Sequence, residues 1–424
     1  MKTKVKTILA IIVVAIFANV NLATAQNMSR WIELNVQQGK EVSLNFKAGE
    51  ENTPVRIVSG STDTIVTVGT NSGYQNYYAD STVMRLYGDI KQIDCSHNKT
   101  KLTSVDASNN TMLTLLKCDN NSLTSLNASG LTALQELWCN NNKLSSLDVS
   151  GLTALHTLHC SGNSLTSIDI SGLTALKDFG CEANNLTSIN LSGATALEMF
   201  YCTNNNLTNI DLSGLVALKT LHCAYNNLNS IDLSGLDALQ ILVCGMNNLT
   251  SLDVSRLTSL HSLYCGGNNF TTLAIDQIYC NLPSRLYNYH KGYINPIPPF
   301  TSYDSIVAAT NSQNAIDRNW EVVDYYDMPI PTTGTYQCAP NASIKDFVEI
   351  KIYPNPANEV LCIIADDNQI NSIEIYDIYG RLVLNKTKLA ATKSTVDVSY
   401  LTNGVYVLLL DTTKGTTELK FVKQ

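Results

Sequence analysis

The chain is expected to be mainly β. It reads as a solenoid of 21-residue coils with a parallel sheet on its concave side, a non-helical convex side, a β-rich N-terminal cap and a small antiparallel β-sandwich at the C-terminal end. Three observations carry this expectation. Cys118, Cys139, Cys160, Cys181, Cys202, Cys223, Cys244 and Cys265 follow one another in steps of 21 residues, and Cys95 precedes them by 23. Three residues after each stands an Asn: Asn98, Asn121, Asn142, Asn163, Asn184, Asn205, Asn226, Asn247 and Asn268. Two residues before each stands Ile93, a Leu, Phe179 or Phe200.

The chain opens with Lys2, Lys4 and Lys6, an apolar run from Ile8 to Ala18, and Ala23-Thr24-Ala25. That order is the pattern of a secretory signal peptide over 1–25, cut between Ala25 and Gln26. Its apolar run is shorter than the about 20 residues that a membrane span needs, so no spanning segment is expected in the mature chain. Residues 26–85 alternate apolar and polar, as in Trp31-Ile32-Glu33-Leu34-Asn35-Val36 and Val42-Ser43-Leu44-Asn45-Phe46. Solenoids expose apolar ends that must be covered, so this stretch is read as a β-rich cap.

Within residues 86–278, each Leu-x-Cys sends Leu and Cys to one face of a short strand and the x positions to the other. The Asn is suited to bond backbone groups of neighbouring turns where the chain bends inward. Gly130, Gly151, Gly172, Gly193, Gly214 and Gly235 mark the return segment as a turn. About ten residues remain for that return, too few for an α-helix, which leaves an extended or 3₁₀ convex side. Nine rungs at about 4.8 Å each stack to about 40 Å. The unit Leu134-x-x-Leu137-x-Cys139-x-x-Asn142-x-Leu144 resembles the leucine-rich repeat, with Cys in the third Leu slot. The 21-residue period and the cysteine ladder are similar to internalin-type bacterial proteins. The resemblance implies a right-handed arc with a parallel sheet on its concave side.

Residues 279–345 lose the period and contain Pro283, Pro296, Pro298 and Pro299. They are read as a C-terminal cap that ends in a linker around Pro329–Ala342. From residue 346 short alternating segments return, separated by Asn-Pro, Tyr-Gly and Asn-Gly turns, as expected of an antiparallel sandwich. Tyr353-Pro354-Asn355-Pro356, Tyr376-Asp377-Ile378-Tyr379-Gly380-Arg381 and Asn403-Gly404-Val405-Tyr406 make 346–424 resemble the C-terminal sorting domain of the type IX (Por) secretion system of Bacteroidota. That resemblance implies recognition by an outer-membrane translocon, and a body that is released or attached at the cell surface.

Charge and side-chain chemistry narrow the function. Of 424 residues, 44% are apolar and 15% charged, with a net charge of -8 and a pI near 5.3. No basic run follows the leader, which argues against nucleic-acid binding. Twelve cysteines in an exported chain ordinarily suggest disulfides. The nine ladder cysteines, however, point inward on in-register strands whose parallel side-chain vectors suit a disulfide torsion poorly. They are expected to be reduced core residues. A pairing of Cys280 with Cys338 is expected around the cap. His159-Cys160 and His222-Cys223 place their two side chains on opposite faces, so no metal site is expected there. The recurrent Asp of the return segment (Asp106, Asp148, Asp169, Asp211, Asp232, Asp253) is read as a turn former. No catalytic motif and no cofactor motif appear, so the chain is read as a non-enzyme. The residue before each Cys should project from the concave face, and there Trp138, His159, Tyr201, His222 and Tyr264 form a candidate ligand-binding column. A protein partner and adhesion are the expected use. A glycan ligand or a passive surface-layer role are the alternatives.

Overall fold

The computed structural model describes residues 27–285, 291–301, 304–338, 350–365, 369–377, 381–412 and 415–424. The leader, with its expected cut between Ala25 and Gln26, lies outside them. The chain divides into a unit ending at Tyr336 and a unit from Gln337 to Gln424.

In the first unit every ladder cysteine sits at the end of a short parallel strand, from Ile90–Asp94 through Glu136–Trp138 to Ser262–Tyr264. Successive strands pair in register, Leu137 beside Leu158 and Phe179 beside Phe200. Leu and Cys are fully buried at each rung, and one continuous core runs the length of the stack. At two rungs Phe replaces Leu, and Phe179 and Phe200 stack inside with centroids 5.4 Å apart and planes 3° apart.

The Asn column binds the coils together. Asn184 Nδ2 donates to the carbonyls of Cys181 and of Cys160, both at 3.1 Å. Its Oδ1 accepts the Leu165 N–H at 3.0 Å. The same arrangement recurs from Asn121 to Asn268, so carbonyls that would otherwise be buried without partners are satisfied one coil after another. At the N-terminal end Asn98 does this against the cap, exchanging bonds with both backbone groups of Ser43.

The convex side is extended, with short parallel pairings such as Ser167–Asp169 against Ser188–Asn190. Each return turn is closed by an Asp or Asn whose carboxyl or amide oxygen accepts the N–H of a Ser two residues on, as Asp148 does from Ser150 at 2.9 Å. These bonds hold the Asp148, Asp169, Asp211 and Asp232 carboxyls below their ordinary pKa. Gly151 follows with a φ of +76°, a conformation that Gly adopts without steric cost.

The N-terminal cap ends both sheets in antiparallel fashion. Glu41–Ala48 pairs with Ile90–Asp94 on the concave side, and Trp31–Val36 pairs with Leu102–Asp106 on the convex side. At the other end the structure departs from the sequence expectation. Residues 279–345 do not simply cover the stack: Gly292–Asn295 and Trp320–Val322 add two further parallel strands to the concave sheet. Their coils are longer than 21 residues and include the helix Thr272–Asn281, which hid them from a search for the period. Cys280 and Cys338 are disulfide-bonded, whereas the nine ladder cysteines and Cys362 are free thiols.

Among the described residues the second unit holds a three-stranded and a four-stranded antiparallel sheet, and Leu361, Ile363, Ile375, Leu408 and Phe421 lie in one core shared by both. Its sequence motifs act as clasps. Asn355 Oδ1 accepts the Val422 N–H at 2.9 Å, Asp377 takes the side chain and the N–H of Arg381, and the Tyr406 hydroxyl donates to the Thr402 carbonyl at 2.8 Å.

Candidate ligand-binding face

The concave strands place Trp138, His159, Tyr201, His222 and Tyr264 in one outward column, but the structure divides them into two different surfaces. Toward the N-terminal end the Trp138 and His159 rings stack 4.4 Å apart and within 6° of parallel. Lys117 Nζ lies 5.0 Å from the Trp138 centroid, on the rung before it. Trp138 Nε1 donates to Glu136 Oε2 at 3.0 Å. His159 Nε2 comes to 3.1 Å from Asp178 Oδ2, yet it is not aligned for a hydrogen bond, and both Nε2 and Asp178 Oδ1 are buried without one. Gly180 makes this stack fit, since a Cβ there would lie 2.7 Å from His159 Nδ1.

Toward the C-terminal end Tyr201 meets His222 edge to face, with centroids 5.0 Å apart. Desolvation lowers the His222 pKa, with Glu182 acting in the opposite direction. Beyond this pair the face hollows. The residue after each Cys shrinks to Ala224, Gly245 and Gly266, and the cap backbone at Ile297 presses so close to Gly266 that a Cβ there would collide with its carbonyl. The result is a pocket of about 610 Å³, floored by Ile241 and Val243 and walled by Tyr264, Ile297, Phe300 and Tyr325. That volume falls within the about 300–1,000 Å³ usual for ligand sites. Phe300 and Tyr325 pack together at 4.5 Å.

Two more pocket residues, Tyr225 and Met246, stand two positions after a ladder Cys. That position is left-handed in all nine rungs and is mostly filled by Asn or Gly, the residues that tolerate it. Ala183 at φ +51°, Tyr225 at φ +53° and Met246 at φ +55° lack that tolerance, and the last two line the pocket. Strain of this kind, about 1 kcal/mol or more per residue, concentrates at functional sites. The aromatic column was legible in the sequence, but Tyr225, Met246, Phe300 and Tyr325 were not singled out. A Tyr and a Met in an Asn/Gly column were the available signal for the first two.

Fold and face together define a leucine-rich-repeat solenoid with a cysteine ladder. Residues 351–424 match the family described as the secretion system C-terminal sorting domain, so the chain is marked for type IX export to the cell surface or the medium. Among the described residues no helix is long and apolar enough to cross a membrane. Among solved structures, the functional domain of InlJ from Listeria monocytogenes, which includes a cysteine ladder, is similar at 22% identity over 79% of this chain and 86% of that one, with a TM-score of 0.35. The leucine-rich effector YopM from Yersinia pestis is similar at 24% identity over 44% of this chain and 49% of its own, with a TM-score of 0.38. No curated protein matches the chain.

Proposed function

We propose that this exported solenoid is a non-catalytic binding protein that holds a protein ligand on its concave face, with adhesion as the use of that binding. The observation that carries the reading is the aromatic-walled apolar pocket built jointly by the last rungs and the C-terminal cap. A protein side chain buries apolar area there at low cost. A sugar would leave hydroxyls facing Ile241, Val243 and Met246 without partners, which is unfavourable. The glycan alternative is weakened again at Trp138, whose two faces are already taken by His159 and Lys117.

The test is capture of cell-surface proteins by the mature chain and its variants, with a glycan array run alongside. Val243→Asp and Tyr264→Ala are expected to cut protein capture at least about tenfold while leaving the melting temperature within a few degrees, since both side chains project from the sheet. Trp138→Ala is expected to do less. Capture that is unchanged in all three variants would overturn the reading, and silence in both assays would favour a passive surface layer.

A further inference from the structure

The concave face is chemically divided along its length, and the division describes what fits it. On the second to fifth rungs its outward positions carry Asp119, Glu136, Asp178 and Glu182, against a single ammonium, Lys117. On the sixth to ninth rungs the corresponding positions carry no Asp, Glu, Lys or Arg, and the pocket lies there. Lys177 and Lys219 on the flank do not neutralise the acidic half, because both are drawn to Glu198 between them. We infer that the ligand is an extended polypeptide segment with an apolar or aromatic anchor in the pocket and a cationic side chain lying over Glu182 and Asp178. The inference rests on the protein-binding reading and specifies its chemistry.

Spacing sets the register of such a segment. Glu182 and Asp178 are on the fifth rung, and the pocket centres on the eighth, around Val243. Three rungs at about 4.8 Å span about 14 Å, which an extended chain covers in about four residues. Asp119, three rungs further, would meet a second cation about nine residues from the anchor. Of the carboxylates on the concave sheet, Glu182 reaches furthest into the apolar half, its charge being felt at both Tyr201 and His222, while on the cap side Asp327 is felt at Tyr264. An anionic segment would meet net repulsion on the same path, four carboxylates against Lys117, which makes the face selective as well as attractive.

The experiment uses the mature full-length chain and labelled synthetic peptides, with binding read by fluorescence anisotropy. Each peptide carries a Phe-Leu anchor, with Lys four and nine residues away in either chain direction. Counterparts carry Gln or Glu in place of Lys. At low salt the Lys peptide is expected to bind about tenfold tighter than the Gln peptide, with the Glu peptide weaker still. At about 0.5 M salt the three should converge. Glu182→Gln is expected to bring the Lys peptide close to the Gln peptide, and Glu182→Lys to reverse the preference toward the Glu peptide. Melting temperatures matched to the parent show that both variants fold. Equal binding of Lys and Glu peptides, abolished in both cases by Val243→Asp, would overturn the inference and leave the pocket reading standing. No binding by any peptide overturns the inference, and if Val243→Asp also leaves protein capture intact the pocket reading falls with it.

Discussion

Asn184 and Cys223 show how much a single repeated residue carries. Replacing Asn184 by Leu leaves the Leu165 N–H without its acceptor and takes one of two donors from each of the Cys160 and Cys181 carbonyls, which keep Asn163 and Asn205. One buried group left unpaired costs about 1–3 kcal/mol, so the variant is expected to lose about that much in urea unfolding. A loss under about 1 kcal/mol would mean that water replaces the side chain. Burial pushes the Cys223 and Cys265 thiols up to about 12 from an ordinary value of 9.0, and the other ladder thiols also rise. A thiol whose folded pKa lies above its unfolded value supports the fold fully below about pH 9, and that support is lost as pH climbs through the folded value. Between the two, each thiol withdraws about 1.4 kcal/mol per pH unit. The urea midpoint should therefore hold to about pH 9 and fall steeply between pH 9 and pH 11, and a thiol reagent should find the ladder unreactive at pH 8. Tyr225→Asn makes the opposite trade. It relieves left-handed strain and should raise stability by about 1 kcal/mol while weakening ligand capture.

At the level of elements, coils and caps obey different rules. The 21-residue coil is a local device in which strand alternation, the Asn bonds and the Asp-closed turn are all read within one repeat. Gly151→Ala tests the turn: forcing a Cβ at φ +76° is expected to cost about 1 kcal/mol, seen as a modest drop in melting temperature. Gly180→Ala tests the face instead. Its added methyl meets the His159 ring and should separate the Trp138–His159 stack, which tryptophan fluorescence would report with little change in the urea midpoint. The caps are non-local. Both ends of a parallel sheet present unpaired backbone edges, and the N-terminal cap closes its end with antiparallel strands on both sides.

For the whole molecule, the division into two units predicts separable roles. A chain lacking residues 351–424 is expected to keep ligand binding and the urea transition of the repeat body, but to stay inside the cell envelope. Fractionation with a tag on the body reads the outcome, and surface display of the truncated chain would contradict it. We also propose that Cys280 and Cys338, the two disulfide-bonded cysteines, pair with each other; non-reducing peptide mapping should recover them as one linked fragment.

The sequence by itself determined the coil, the inward Cys and Asn columns, the non-helical return and the export domain. Each of these is either periodic or a short motif, and periodicity turns three-dimensional stacking into one-dimensional spacing. Only the tertiary structure decided that Gly292–Asn295 and Trp320–Val322 continue the sheet, and that Phe300 and Tyr325 come to face Tyr264. The pocket depends on aperiodic chain folding back over a periodic face, and it opens where Gly245 and Gly266 leave space. Spacing along the chain carries no record of that approach, because the packing that creates it joins residues whose separation follows no repeat.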